Sequence, residues 1–207
     1  MSSFLLSSPV RELTVYQKRT GGRNNQGRMT ARGRGGGSRH RYRIVDFRRA
    51  ILDVPGTVQR LERDPNRTAH IALISYPDNR MQYIVAPHGL APGDTILATR
   101  SREIDIKVGN AMCLRHIPIG STICCIESKI GGGATFARAA GSCATLIEKE
   151  NTGRPNYALV RISSKEVRLI HLDCMAVIGS VSNPLYHVQS LGKAGRSRWA
   201  GRLPFSR

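Results

Sequence analysis

An all-β architecture of small barrels or sandwiches is the fold class this sequence predicts. Three observations carry it: roughly ten short apolar or alternating runs, turn residues punctuating them, and no long stretch with helical period. With 207 residues the chain is long enough for one ordinary domain or two small ones. Aromatic residues are only 5%, so any core is built mainly from Ile, Val, Leu and Ala.

Taken in order, residues 1–10 are mildly apolar but lack the preceding basic region of a secretory signal. Residues 17–43 form a glycine-rich tract carrying nine Arg and Lys and almost no large apolar side chain. Such a tract cannot bury enough surface to offset an ordering cost of about 1–2 kcal/mol per residue. It is expected to take its order from a partner, and fully extended it could reach roughly 90 Å. Removing residues 1–40 is therefore expected to leave the β bodies folded.

Strands are expected at Arg43–Arg48, Thr57–Arg63, His70–Tyr76, Met81–Ala86 and Thr95–Thr99, with a Pro77-Asp78-Asn79 turn between the third and fourth. A second set is expected at Thr122–Glu127, Ala144–Glu148, Tyr157–Ile162, Glu166–Ile170 and Cys174–Ile178, with turns at Asn151-Thr152-Gly153 and Ser163-Ser164-Lys165. In the third of these, Ala158, Val160 and Ile162 make an apolar face opposite Arg161. Val108-Gly109-Asn110 reads as a weak boundary between two bodies, and two bodies of about 70 residues would each be marginal alone and lean on each other. A short helix is expected near Pro184–Val188. The division expected is 1–42 as an extended basic arm, 43–109 and 110–190 as two barrels, and 191–207 as a basic C-terminal arm.

The formal charge of +18 is placed unevenly: +10 over residues 1–50, +3 over 51–190 and +5 over 191–207. A nearly neutral body with basic ends points to a polyanion, with nucleic acid first. The basic residues are mostly Arg, which grips phosphate through a bidentate fork and stacks on bases. The five cysteines, Cys113, Cys124, Cys125, Cys143 and Cys174, show no C-x-x-C spacing. They read as reduced, mostly buried thiols in a reducing compartment. Residues 174–192 lack charge but hold too many polar residues to span a bilayer, so no membrane partner is expected.

No catalytic signature is present: no G-x-S-x-G, H-E-x-x-H or Walker lysine loop. Gly33-Arg34-Gly35-Gly36-Gly37 does not follow a strand, as a dinucleotide loop would. An enzyme is not expected, and neither a cofactor nor a metal. The strongest motif runs from Gly22-Arg23-Asn24-Asn25-Gln26-Gly27-Arg28 through Arg32, Arg34 and Gly35-Gly36-Gly37 to Arg39, Arg41, Tyr42 and Arg43. Arg supplies phosphate contacts and stacking, Asn and Gln can read base edges, and Gly permits close backbone approach.

Further motifs join it in order: Arg43-Ile44-Val45-Asp46-Phe47-Arg48-Arg49, Asp64-Pro65-Asn66-Arg67, Gly131-Gly132-Gly133 with Phe136 to Gly141, and Leu191-Gly192-Lys193-Ala194-Gly195-Arg196-Ser197-Arg198-Trp199. Together, from about Gly21 to Arg202, they resemble the universal large-subunit ribosomal protein L2 family in its bacterial and organellar form. The resemblance implies an OB-fold-like barrel followed by an SH3-like barrel, with extended basic N- and C-terminal arms. It implies a structural protein that binds large-subunit ribosomal RNA, contacts neighbouring ribosomal proteins, and supports subunit association and the peptidyl-transfer region.

Carried over by position, Arg23, Asn24, Asn25, Arg28, Arg32 and Arg34 would thread RNA, continuing through Arg39, Arg41 and Arg43. Arg67 would contact RNA from the first barrel, Lys129 and Arg138 from the second, and Lys193, Arg196, Arg198, Trp199 and Arg202 beyond it. Trp199, the only Trp, is expected to stack on a base or sugar. The chain departs from the family at Ser38 and Arg39, where His and Lys are usual. It also lacks the family's long Gly- and His-rich C-terminal extension, so a separate polypeptide supplying that part is one expectation and its loss another. That ending suggests an organelle: mitochondrion first, then chloroplast or bacterial cytoplasm. The rival function is a free RNA-binding regulator or chaperone, and a third is an RNA-modifying enzyme.

Overall fold

The computed structural model of the protein describes residues 8–149 and 156–204, so the expected turn at Asn151-Thr152-Gly153 lies outside the described residues. The chain is nearly all β. Strand β1 (Thr14–Tyr16) pairs antiparallel with β2 (Arg41–Arg43). Then β3 (Gly56–Arg63), β4 (His70–Ser75), β5 (Met81–Val85) and β6 (Thr95–Ile96) form a four-stranded sheet in the order β5-β4-β3-β6. The second body contains β7 (Ala111–Cys113), β8 (Thr122–Cys124), β9 (Ile126–Glu127), β10 (Ala134–Phe136), β11 (Ala144–Lys149), β12 (Tyr157–Ile162), β13 (Val167–His171) and β14 (Met175–Ile178). Six of these make a sheet ordered β13-β12-β11-β8-β14-β7, and β9 pairs with β10. Bulges between Val58 and Arg60 and between Leu146 and Glu148 break the register and let the sheets curl. These curled sheets fit an OB-fold-like barrel followed by an SH3-like barrel.

Three apolar clusters explain why some strands alternate and others do not. On β4, Ala72 and Ile74 face a first cluster with Val58, Ile84 and Ile96, while Ile71 and Leu73 face a second. On β14, Met175 and Val177 join that second cluster, while Ala176 and Ile178 point into a third with Ile123, Leu146, Val160 and Leu172. The middle cluster is thus shared by both bodies. Both strands separate two cores, so the period-two alternation places apolar residues on both faces, and the sequence shows continuous apolar runs. The bodies do lean on each other, and Val108–Asn110 is a packed joint. Asn110 is buried; its Oδ1 accepts the Leu97 N–H at 2.9 Å and its Nδ2 donates to the Asp105 carbonyl at 2.9 Å.

Three expected strands are cut short, and the one expected at Thr95–Thr99 ends at Ile96. The expected Arg43–Arg48 strand stops at Arg43, because Asp46 accepts the N–H groups of Arg48, Arg49 and Ala50 and turns the chain. The Thr122–Glu127 run divides at Cys125, which takes a φ of 47°. The turns at Pro77–Asn79 and Ser163–Lys165 form, with Asn79 and Lys165 in the left-handed region. Pro184–Val188 is a 3-10 turn and Ala194–Trp199 is a short helix, α1. Among the described residues no helix is long and apolar enough to cross a membrane. All five cysteines are free, with Cys113, Cys124 and Cys174 buried. Burial pushes the Cys174 thiol up to about 11, with the Glu127 carboxylate adding to the shift.

The N-terminal tract differs most from expectation. It is a loop closed at its base, where Thr14 pairs with Arg43 and Tyr16 with Arg41. Val10 and Leu13 pack on the shared core, and the Val10 N–H donates to the Tyr83 hydroxyl at 3.1 Å. Removing residues 1–40 would therefore strip packing from the barrels as well as charge. The separable element is residues 17–40.

Candidate nucleic-acid interface

The loop projects a small hairpin. The Gly22 carbonyl accepts the N–H groups of Thr30 at 2.9 Å and Ala31 at 3.1 Å, and Arg23 bridges Met29. At its tip Asn24 Oδ1 accepts the Gln26 N–H at 3.0 Å and the Arg28 N–H at 2.9 Å. That oxygen shapes the turn, so Asn24 positions its neighbours rather than offering its acceptor to a base. Arg23, Asn25 and Arg28 are exposed around it. Farther along, Arg32, Arg34, Arg39 and Arg41 are exposed. The Arg19 guanidinium donates to the Gly36 carbonyl and lies beside the His40 ring, spanning the loop from inside.

At the base, the Asp64-Pro65-Asn66-Arg67 turn holds the loop. Asp64 is buried and accepts the Asn66 N–H at 2.9 Å, and Asn66 Nδ2 donates to the Arg41 carbonyl at 3.1 Å. Arg67 pairs with Asp64 at 2.5 Å. Arg43 is 9% exposed and lies between two carboxylates that are each 1% exposed, 3.8 Å from Glu62 and 3.9 Å from Asp64. An Arg so enclosed is a counter-ion to buried acids, not a free phosphate ligand. Glu62 also takes hydrogen bonds from Arg60 at 2.8 Å and from the Tyr83 hydroxyl at 2.9 Å.

Cations and rings alternate across the junction between the bodies. The Arg67 guanidinium lies 5.7 Å from the Tyr42 ring and 5.5 Å from the Phe47 ring, and Arg138 lies 5.3 Å from Phe47. Each such contact contributes roughly 0.5–1 kcal/mol, and together they fix where Arg138 stands. Beneath them the Cys125 thiol is pulled below the usual thiol range, first by a hydrogen bond with Cys124 and then by Arg49, Arg138 and Arg67. A positive field at this junction is part of the cause.

Lys129 is exposed on the glycine-rich turn between β9 and β10, and the buried Glu127 carboxylate holds that turn. It accepts the N–H groups of Gly131 at 3.2 Å, Gly133 at 3.3 Å and Met175 at 3.1 Å, and pairs with Arg100 at 3.0 Å. At the other end, Lys193, Arg196, Arg198 and Arg202 are exposed on and around α1, with Lys193 Nζ 5.7 Å from the Trp199 ring. Trp199 is 58% exposed and outside the core clusters.

Charge pairing sorts the expected residues. Within residues 18–45 and 184–204 the sequence has no Asp or Glu at all. Among the described residues, Arg43 and Arg67 alone of the expected RNA-binding cations form an ion pair with a carboxylate. Cations of the barrels such as Arg60, Arg100, Arg115 and Arg168 are paired as well. The residues missed by sequence reasoning, Arg19, His40, Phe47 and Glu127, position the others; Phe47 among arginines was the one visible signal. Among the described residues no three His, Cys, Asp or Glu cluster to hold a metal.

Comparison with known proteins agrees along the whole chain. Residues 10–98 match the family of ribosomal proteins L2, RNA binding N-terminal domain, and residues 107–207 match the L2 C-terminal domain. The large ribosomal subunit protein uL2 of Beijerinckia indica is 48% identical over 206 residues, which is 100% of this chain and 72% of that protein. The uL2 proteins of Azorhizobium caulinodans and of Rhodopseudomonas palustris strain BisB18 are 49% and 50% identical, with the same shares covered.

Proposed function

The chain belongs to the ribosomal protein L2 family, and from that membership we propose how it works as a structural, RNA-binding component of the large ribosomal subunit. Two barrels joined through a shared core hold a basic loop and a basic C-terminal segment against folded ribosomal RNA. The observation that carries this is the contrast in charge pairing: several cations of the barrels, among them Arg60, Arg100, Arg115 and Arg168, have carboxylate partners, and those of the loop and C-terminal segment have none among the described residues. Unpaired, exposed arginines on backbone of fixed shape suit phosphate, which accepts the guanidinium fork.

Within this proposal Arg23, Asn25, Arg28, Arg32, Arg34, Arg39 and Arg41 contact RNA from the loop. Lys129 and Arg138 contact it from the second barrel, and Lys193, Arg196, Arg198, Trp199 and Arg202 from the C-terminal segment. Asn24, Arg43 and Arg67 act through the groups they hold. The working division is residues 1–42, 43–109, 110–190 and 191–207, although the first arm is rooted in the barrels. The family is structural, and binding rather than catalysis is the role proposed. Neighbouring ribosomal proteins follow as partners. Support for subunit association and for the peptidyl-transfer region enters from the family resemblance.

The relatives named above are bacterial, which favours the bacterial cytoplasm over the mitochondrion. The mitochondrial expectation, like that of a separate polypeptide for a missing extension, rested on where the chain ends. The comparisons support neither. Co-sedimentation tests the proposal. A stoichiometric component stays with large subunits through a moderate salt wash; recovery only in the free fraction would favour an RNA-binding regulator.

A further inference from the structure

The loop and the C-terminal segment touch each other. The Gly35 N–H donates to the Gly201 carbonyl at 2.8 Å, the Ser38 N–H to the Trp199 carbonyl at 2.9 Å, and the Leu203 N–H to the Gly33 carbonyl at 2.8 Å. Between them Arg34 and Arg202 face each other as an antiparallel bridge. Both are exposed, and neither has a carboxylate partner among the described residues. Like charges placed directly opposite destabilise a strand pair. Each exposed backbone hydrogen bond contributes only about 0.5–1.5 kcal/mol net. This pairing therefore works against its own electrostatics, and an anion lying over both guanidinium groups would remove the opposition.

We propose that residues 33–38 and 199–203 form a clasp that closes on a phosphate backbone, so the two basic segments engage RNA as one unit. The inference rests on the proposed function and adds to it a binding element built jointly by both ends of the chain. Closure converts engagement of the second segment into an intramolecular event, with a gain in affinity that needs no further charge.

The triple glycine carries the test. At Gly37, with φ of 62°, a Cβ would lie 2.6 Å from the Trp199 carbonyl oxygen and 2.9 Å from the Gly201 nitrogen. At its neighbour Gly36 a Cβ would meet no heavy atom within 4 Å. One glycine is needed for the two segments to approach each other, and the other is not. Gly201, with φ of 85°, lies on the opposite side of the clasp, where a Cβ would be 3.0 Å from the Gly35 carbonyl oxygen.

The experiment compares the full chain with Gly37→Ala, Gly201→Val and Gly36→Ala, measuring affinity for large-subunit ribosomal RNA and amide exchange at Ser38 and Leu203. Gly37→Ala and Gly201→Val are expected to weaken binding by about ten-fold or more and to speed exchange in the complex, with net charge and barrel melting unchanged. Gly36→Ala is expected to stay within about two-fold of the parent, as a substitution that meets nothing. Wild-type affinity in both clasp variants would overturn the proposal. So would an equal loss in Gly36→Ala, which would mean that the triple glycine serves close approach to RNA instead. Failure of the functional proposal is a different result: the parent chain itself would show no salt-dependent binding to this RNA.

Discussion

Replacing Arg43 by Met separates a structural arginine from a binding one. The substitution keeps the aliphatic stem and removes the charge between Glu62 and Asp64, both 1% exposed. Breaking a buried ion pair costs about 3–5 kcal/mol, because the acid left behind stays desolvated. Here the separations are 3.8 and 3.9 Å, and Arg60 and Arg67 remain beside the two acids. The expected cost is therefore at the low end, about 3 kcal/mol. For a protein of this size that lowers the melting temperature by roughly 6–12 °C. Arg28→Met, on the exposed tip, is expected to change stability by no more than about 0.5 kcal/mol while weakening RNA binding. Far-ultraviolet circular dichroism is the suitable probe, because the one Trp lies on the C-terminal segment and would not report on the barrels. A wild-type melting curve for Arg43→Met, combined with a loss of RNA affinity like that of Arg28→Met, would refute the assignment.

Two further outcomes follow from buried groups. Glu127→Ala leaves the Gly131, Gly133 and Met175 N–H groups and Arg100 without their acceptor, so it should cost about 3 kcal/mol or more and speed amide exchange in the Gly131–Gly133 turn; unchanged exchange there would contradict it. His70 has its pKa lowered from 6.5 by burial, with Arg63 adding to the effect, and its Nδ1 is buried without a partner. The unfolded chain binds this proton more readily than the folded one, so stability is full above the unfolded value and declines as the pH falls through 6.5 toward the lowered folded value. His70→Gln should flatten that part of the melting-temperature profile; an unaltered profile would exclude His70 as its source.

Much of the fold was legible because the strands are long enough to show their period. β3, β4, β5, β11 and β12 coincide closely with runs such as Thr57–Arg63 and Tyr157–Ile162. β1, β7 and β10 have three residues each, too few to show alternation, and the pairing partners of β1 and β7 lie far away in sequence. The basic character of the interface was visible in composition. The distinction between Arg43 and Arg41 was not, because it depends on Glu62 and Asp64, which only folding brings alongside. The same holds for Asn24, whose side-chain oxygen accepts the Gln26 and Arg28 N–H groups of its own turn. The glycine tract was expected to lack internal order; its backbone finds partners in a segment 161 residues away, a pairing no local pattern reveals.

The central claim is that residues 17–40 are the main grip on RNA and are separable from the barrels. Tyr16 and Arg41 are paired directly, so an Asn-Gly turn can replace the loop and join β1 to β2. The replacement removes seven Arg and Lys. If each contacts a phosphate, the log–log slope of RNA affinity against salt should become shallower by about 5, while the barrels melt as before. An unchanged slope together with normal incorporation into large subunits would contradict the account.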